Sequence, residues 1–165
     1  MDKTLVGILM GSESDAEVML KAKEILDELG INSEVRILSA HRTPKELHEY
    51  IENASESGVK IFIAGAGMSA HLAGVVGAST NLPVIGVPIN SSSLGGVDAL
   101  LSTIQMPPGI PVATMGIGSP GARNAALFAA RILSLEDSKI LEKYKTYVEK
   151  QKQKVLDSDR SIQNR

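Results

Sequence analysis

The sequence predicts an α/β chain: a parallel sheet wound twice, helices on both faces, and one extra helix at the C-terminal end. Three observations predict it. Short unbroken apolar runs such as Leu5–Met10 recur along the chain, as in strands covered on both sides. Each run is followed at once by a polar or Gly-rich turn, and then by apolar residues at helical spacing. At 165 residues and 43% hydrophobic the chain can bury a sizeable core; with only 3% aromatics that core is built from Ile, Leu, Val, Ala and Met.

Leu5–Met10 reads as the first strand and Gly11-Ser12-Glu13-Ser14-Asp15 as its turn. Val18, Leu20, Ala22, Ile25, Leu26 and Leu29 then mark a helix that Gly30 ends. Val35–Leu38 is the second strand, Ser39–Thr43 its turn and Pro44–Ser57 its helix, closed by Gly58. Pro44 suits a first helical turn, where a missing N–H costs nothing. The third unit is Lys60–Ala64, the turn Gly65–Ser69 and a small-residue helix from Ala70 to Ser79. The fourth is Pro83–Val87, the Ser- and Gly-rich loop Pro88–Gly96 and a helix over Val97–Met106. Pro107-Pro108-Gly109 breaks the chain before a short strand, Val112–Met115, a glycine-rich turn, Gly116–Gly121, and an Ala-rich helix, Ala122–Leu133.

This alternation implies right-handed crossovers and a three-layer, flavodoxin- or Rossmann-like core over about residues 4–133, within a single domain spanning 1–165. A charged helix over about 136–156 follows, with Ile140, Leu141, Tyr144, Tyr147, Val148 and Val155 on one stripe. It packs on its own domain or reaches a neighbouring subunit. Asp157–Arg165 reads as a frayed polar end.

Net charge is -2, with no basic run before the C-terminal tail, which argues against a nucleic-acid surface. The absence of cysteine excludes disulfides, thiol nucleophiles and Cys-metal sites. Neither a signal peptide nor an unbroken apolar run of about 18 residues is seen, so a soluble cytoplasmic protein is expected and no membrane span.

The turns that follow the strands fall along one sheet edge, where open α/β sheets bind ligands. The first, Gly11–Asp15, offers hydroxyls, backbone N–H groups and a helix start, which suit a phosphate, while Asp15 suits ribose hydroxyls. N-capping by Ser14 or Asp15 is the structural alternative. P-loop and dinucleotide spacings are absent. The second turn sets His41 beside Arg42. Arg pairs with phosphate or carboxylate in a two-pronged geometry, and His41 is a candidate general acid or base. A surface His-Arg pair ahead of an N-cap is the plain alternative. The third turn admits a ligand close to its backbone and leads to His71. No Asp, Glu or Cys in the second and third turns completes a metal set with the two imidazoles, so no metal is expected. His48, near Glu46 and Glu49, reads as a solvated helix residue. Asn90–Gly96 is a flexible loop or one that closes over a ligand, and Ser119–Asn124 is another helix start. These residues lead to a small phosphorylated ligand and acid–base chemistry through His41, and no further.

Six ordered motifs carry a resemblance. They are Gly11–Asp15, Ser39–Pro44, Ala64–Gly67 with Ala70-His71-Leu72, Gly86-Val87-Pro88, Gln105-Met106-Pro107 with Gly109–Val112, and Asn124-Ala125-Ala126. Over about Val6–Leu133 the chain resembles the PurE family of purine biosynthesis. The resemblance implies interconversion of N5-carboxyaminoimidazole ribonucleotide and 4-carboxy-5-aminoimidazole ribonucleotide, by decarboxylation and then recarboxylation, with CO₂ as a bound intermediate. It implies that His41 shuttles the proton, that Ser12 and Arg42 hold the phosphate end and Asp15 the ribose, and that Ser14, Ser39, Gly67 and His71 line the same pocket. It implies no metal or organic cofactor, and a homo-octamer in which the C-terminal helix packs on a neighbour. A second branch of the family carboxylates aminoimidazole ribonucleotide directly with CO₂; Ser69-Ala70-His71-Leu72 and the intact His41-Arg42-Thr43-Pro44 resemble the mutase branch. A non-catalytic nucleotide-binding module is the reading outside enzymes. The chain departs from the commonest mutase pattern at Ala16 (often aromatic), Met68-Ser69 (often Gly-Ala), Ala73 (often Pro) and Ser119 (often Lys), which bears on pocket shape rather than on the reaction.

Overall fold

A computed structural model describes residues 3–164. Its strands are β1 Val6–Met10, β2 Ser33–Ile37, β3 Ile61–Gly67, β4 Val84–Ile89 and β5 Ala113–Thr114. They form one parallel sheet in the order β2-β1-β3-β4-β5, the flavodoxin-like doubly wound arrangement. The helices are α1 Ala16–Glu28, α2 Pro44–Ser57, α3 Leu72–Ser79, α4 Val97–Ile104, α5 Ser119–Leu133 and α6 Ser138–Gln163.

The apolar runs are continuous because successive side chains enter two different cores. Val6, Ile8 and Met10 join the cluster beneath α1 and α5, while Leu9 joins the cluster beneath α2 and α3. On the first face α5 presents Ala122, Ala125, Ala126, Ala129 and Ala130, all fully buried. Side chains this small let its backbone lie close to α1 and the sheet.

Several boundaries differ from the sequence reading. β2 begins at Ser33, paired with Val6, and ends at Ile37, paired with Met10. It is the sheet edge, which explains its partly exposed, weakly apolar sequence. β3 does not stop at Ala64: Gly65, Ala66 and Gly67 continue the ladder against Val87, Pro88 and Ile89. The third turn therefore shrinks to Met68–His71, and α3 starts at Leu72. Pro88 sits inside β4, where its carbonyl accepts a hydrogen bond from Gly118 N at 2.9 Å. That places its polar groups on the β5 side, beyond the end of the β5 pairing, where a missing N–H breaks no ladder.

The tail is helical to Gln163 rather than frayed from Asp157. Asp137 caps it, accepting from Lys139 N and Ile140 N, and Gln153–Asp157 and Gln163–Asp159 contacts one turn apart brace its far half. Arg165 lies outside the described residues. Ile140 is buried, and Tyr144 and Tyr147 pack on the α1–α5 core, so the first half of the stripe is seated within its own chain. Val148, Val155, Leu156 and Ile162 are exposed. Among the described residues no helix is long and apolar enough to cross a membrane.

Candidate active site

At the carboxyl ends of β1, β2 and β3 the following segments surround a cleft of about 740 Å³, within the usual range for small-molecule sites. Ser12, Ser14, Asp15, Ser39, His41, Arg42, Gly67 and His71 all line it. They come from three separate strand–turn–helix units. The parallel sheet, with its strands' carboxyl ends at one edge, brings them together.

In the first unit, Ser12 is extended (φ -156) and its hydroxyl accepts a hydrogen bond from Ser14 N at 3.4 Å. Ser12, rather than Ser14 or Asp15, thus caps a short 3-10 turn over Glu13–Asp15. Asp15 is 6% exposed. Burial raises its pKa from the ordinary 3.8; the N–H groups of Ser12 and Gly11 and the Arg42 guanidinium act the other way without cancelling it. A carboxylate buried against a polar cleft is poised to gain from hydroxyl donors on a ligand.

The second unit is held by its own side chains. Thr43 Oγ1 accepts from Ser39 N at 2.8 Å, so Thr43 folds back on the turn and gives no side-chain cap to α2. Ser39 Oγ accepts from Arg42 N at 3.2 Å and Arg42 Nε at 3.4 Å, and Arg42 Nη2 donates to Gly11 O at 2.8 Å. The guanidinium thus stitches the second turn to the first and keeps donors over for an anion.

The third unit supplies the contact that organises the site. His41 Nε2 and His71 Nδ1 are 2.9 Å apart, the rings nearly perpendicular at 85° with centroids 5.0 Å apart. One ring must donate and the other accept, so the bond couples the two tautomers: the ring that presents N–H there faces a bare nitrogen on the other. A proton can move between them without crossing solvent.

Met68, which follows Gly67, is the one non-glycine with positive φ among the described residues, at 57°. A left-handed backbone accounts for the preference for Gly at this position in the related pattern. Gly67 itself has no room for a side chain, because Ser91 lies against it. Of the Asn90–Gly96 loop, Ser91 alone lines the cleft. His48 faces Glu52 at 3.4 Å on the surface of α2, away from the cleft, and Ser119–Asn124 opens α5 without lining it. Ala16 packs half-buried on the core, and Ala73 is buried in the first turn of α3. Among the described residues no three His, Cys, Asp or Glu side chains group as metal ligands.

One contributor escaped the sequence reading. Ser102, in the middle of α4, accepts a hydrogen bond from Ala70 N at 3.0 Å, and nothing in its helical context announces that.

The family model described as AIR carboxylase matches residues 5–154. A Pyrococcus abyssi protein named N5-carboxyaminoimidazole ribonucleotide mutase is 55% identical over 147 residues, covering 89% of this chain and 83% of that protein. A Bacillus subtilis protein of the same name is 54% identical over 154 residues, covering 93% and 95%. Among solved structures, Treponema denticola PurE superposes with a TM-score of 0.87 at 36% identity, covering 96% of this chain and 98% of that one.

Proposed function

This chain belongs to the AIR carboxylase family, and we propose that it acts as the mutase, an isomerase interconverting N5-carboxyaminoimidazole ribonucleotide and 4-carboxy-5-aminoimidazole ribonucleotide in purine biosynthesis. Identities of 55% and 54% to two proteins named as that mutase support the branch. The observation that carries the chemistry is the His41–His71 bond beside a cleft of mononucleotide size.

In this reading the ligand's phosphate meets the N–H groups of the first turn, Ser12 and the Arg42 guanidinium. Its ribose hydroxyls donate to Asp15, and its base lies by the two imidazoles. The bond between N5 and the carboxylate carbon breaks, CO₂ departs, and His41 gives a proton to the nitrogen. The ring carbon then attacks the retained CO₂, and the hydrogen on that carbon passes to His41. The proton given is the proton regained, so the net change is isomerisation. His71 holds the tautomer and direction of His41 between the two transfers. Ala40, Ala66 and Leu72, which also line the cleft, give the CO₂ an apolar wall, and closure from the Ser91 side keeps water out.

The same reading makes the protein a cytoplasmic homo-octamer. Val97, Leu101 and Ile104 form an exposed apolar stripe along α4, extended by Leu94 in the loop before it, and the far half of α6 exposes a second. Faces of this kind usually meet a partner. Light scattering should give eight chains; a monomer would remove the octamer and leave the chemistry standing.

The test is turnover of N5-carboxyaminoimidazole ribonucleotide without added bicarbonate, which should yield the carbon-carboxylated isomer. Carboxylation only when aminoimidazole ribonucleotide and bicarbonate are supplied would move the chain to the other branch. His41→Asn should lower turnover about 10²–10⁴-fold while ligand affinity stays within a few-fold. Turnover near wild type would remove His41 from its role.

A further inference from the structure

We infer that Ser102, on α4 and outside the cleft, is a positioning residue whose hydroxyl sets the Met68–His71 turn so that His71 meets His41. The inference rests on the mutase reading only for its activity readout.

The turn that delivers His71 has little support of its own. β3 has ended at Gly67, and α3 has not begun until Leu72. Met68 is left-handed at φ 57, and Met68, Ser69 and His71 are exposed. One bond closes the turn locally, His71 N to Ser69 O at 2.8 Å. Ala70 is different. It is buried at 2% exposure, and its N–H donates to Ser102 Oγ at 3.0 Å.

A hydroxyl has one proton and two lone pairs. Ala70 N–H takes a lone pair on Ser102. The Ser102 proton goes to Asp98 O at 2.8 Å, with Ala99 O at 3.2 Å and Met68 O at 3.4 Å as longer alternatives. One oxygen thus joins the body of α4 to the residue immediately before His71. Removing it leaves a buried N–H without a partner and frees a strained turn to relax. The His41–His71 bond, at 2.9 Å, does not tolerate such a movement: a displacement of about 1 Å can cost up to about 10²-fold in rate.

The test is a double-mutant cycle of Ser102→Ala with His71→Asn, with Ser102→Thr as the conservative variant. It is read by kcat and KM and, in the substrate-free protein, by imidazole ¹⁵N NMR. Ser102→Ala should lower kcat about tenfold or more with KM within about twofold, and Ser102→Thr should recover most of the loss. In the His71→Asn background, Ser102→Ala should change kcat by less than about twofold, because its effect passes through His71. The spectrum should lose the signature of a hydrogen shared by His41 Nε2 and His71 Nδ1 in Ser102→Ala and keep it in Ser102→Thr. If Ser102→Ala does not fold, Ser102→Cys takes its place with the same expected loss. Equal losses in both backgrounds, or an intact imidazole bond in the variant, would overturn the inference. The NMR arm needs no substrate, so it decides the role of Ser102 even if the wild-type protein turns over neither ribonucleotide.

Discussion

Replacing Gly67 by Ala tests how tightly the cleft is built. A β-carbon there would overlap Ser91 Oγ outright, and would lie 2.8 Å from Ser91 Cβ and 3.1 Å from Ile89 O. The hydroxyl is the end of a rotor and can turn away. Ser91 Cβ and the Ile89 carbonyl cannot, so the end of β4 must shift by several tenths of an ångström. Overpacking of this kind costs about 1–3 kcal/mol. Gly67 is not among the positive-φ glycines, so the exchange returns about 0.4–1 kcal/mol through the unfolded chain. Mid-range values of the two leave a net loss of about 1.3 kcal/mol, which for a chain of this size lowers Tm by about 3–5 °C. Turnover should fall as well, since Gly67 and Ser91 both line the cleft. Adding Ser91→Gly removes two of the three contacts and should restore more than half of the lost Tm in a thermal melt followed by circular dichroism. An unchanged or raised Tm for Gly67→Ala alone would refute the argument: β3 would not be held against Ser91.

Two further variants concern groups that line the cleft, Asp15 and Arg42. Because burial raises the Asp15 pKa, its contribution to stability is fully present below the ordinary value of 3.8 and is lost as pH rises through the higher folded-state value. Asp15→Asn should therefore leave stability unchanged in acid and raise it at neutral pH, as urea titrations at the two pH values would show. The same variant should weaken ribonucleotide binding about tenfold by calorimetry, from the loss of one charge-assisted hydrogen bond. Arg42→Lys keeps the charge but not the fork that joins Ser39 Oγ and Gly11 O; KM should rise about 10–100-fold with a smaller change in kcat, and an unchanged KM would remove Arg42 from the phosphate.

The strand pattern was legible where both faces are covered. Val6, Ile8 and Met10 answer to one core and Leu9 to the other, so β1 reads as an unbroken apolar run. The carboxyl end of β3 was not legible. Gly65-Ala66-Gly67 has the composition of a turn, yet it is strand, its glycines needed for close approach by Met19 and Ser91. All eight candidate site residues line the cleft because each lies within a few residues of a strand's carboxyl end, and a parallel sheet gathers such positions. What sequence order could not show is which turns are neighbours. His41 and His71 are 30 residues apart, and their contact depends on β2 and β3 flanking β1. Ser102 was silent for another reason: a serine in mid-helix ordinarily bonds back to its own helix, and its second bond, to Ala70, belongs to tertiary structure.

The strand order also bears on how activity arises during folding. The first turn, with Ser12 and Asp15, belongs to β1, which lies between β2 and β3, and the two imidazoles are carried in from its opposite sides on the units of those two strands. Closing such a contact requires both crossovers to have docked, and the ordering cost of each loop is met before the contact forms. A chain that has assembled β1 and β2 alone has its first turn and Arg42 but no His41–His71 contact. Recovered turnover in a refolding experiment therefore reports the third unit, so catalysis should lag behind the return of helical signal.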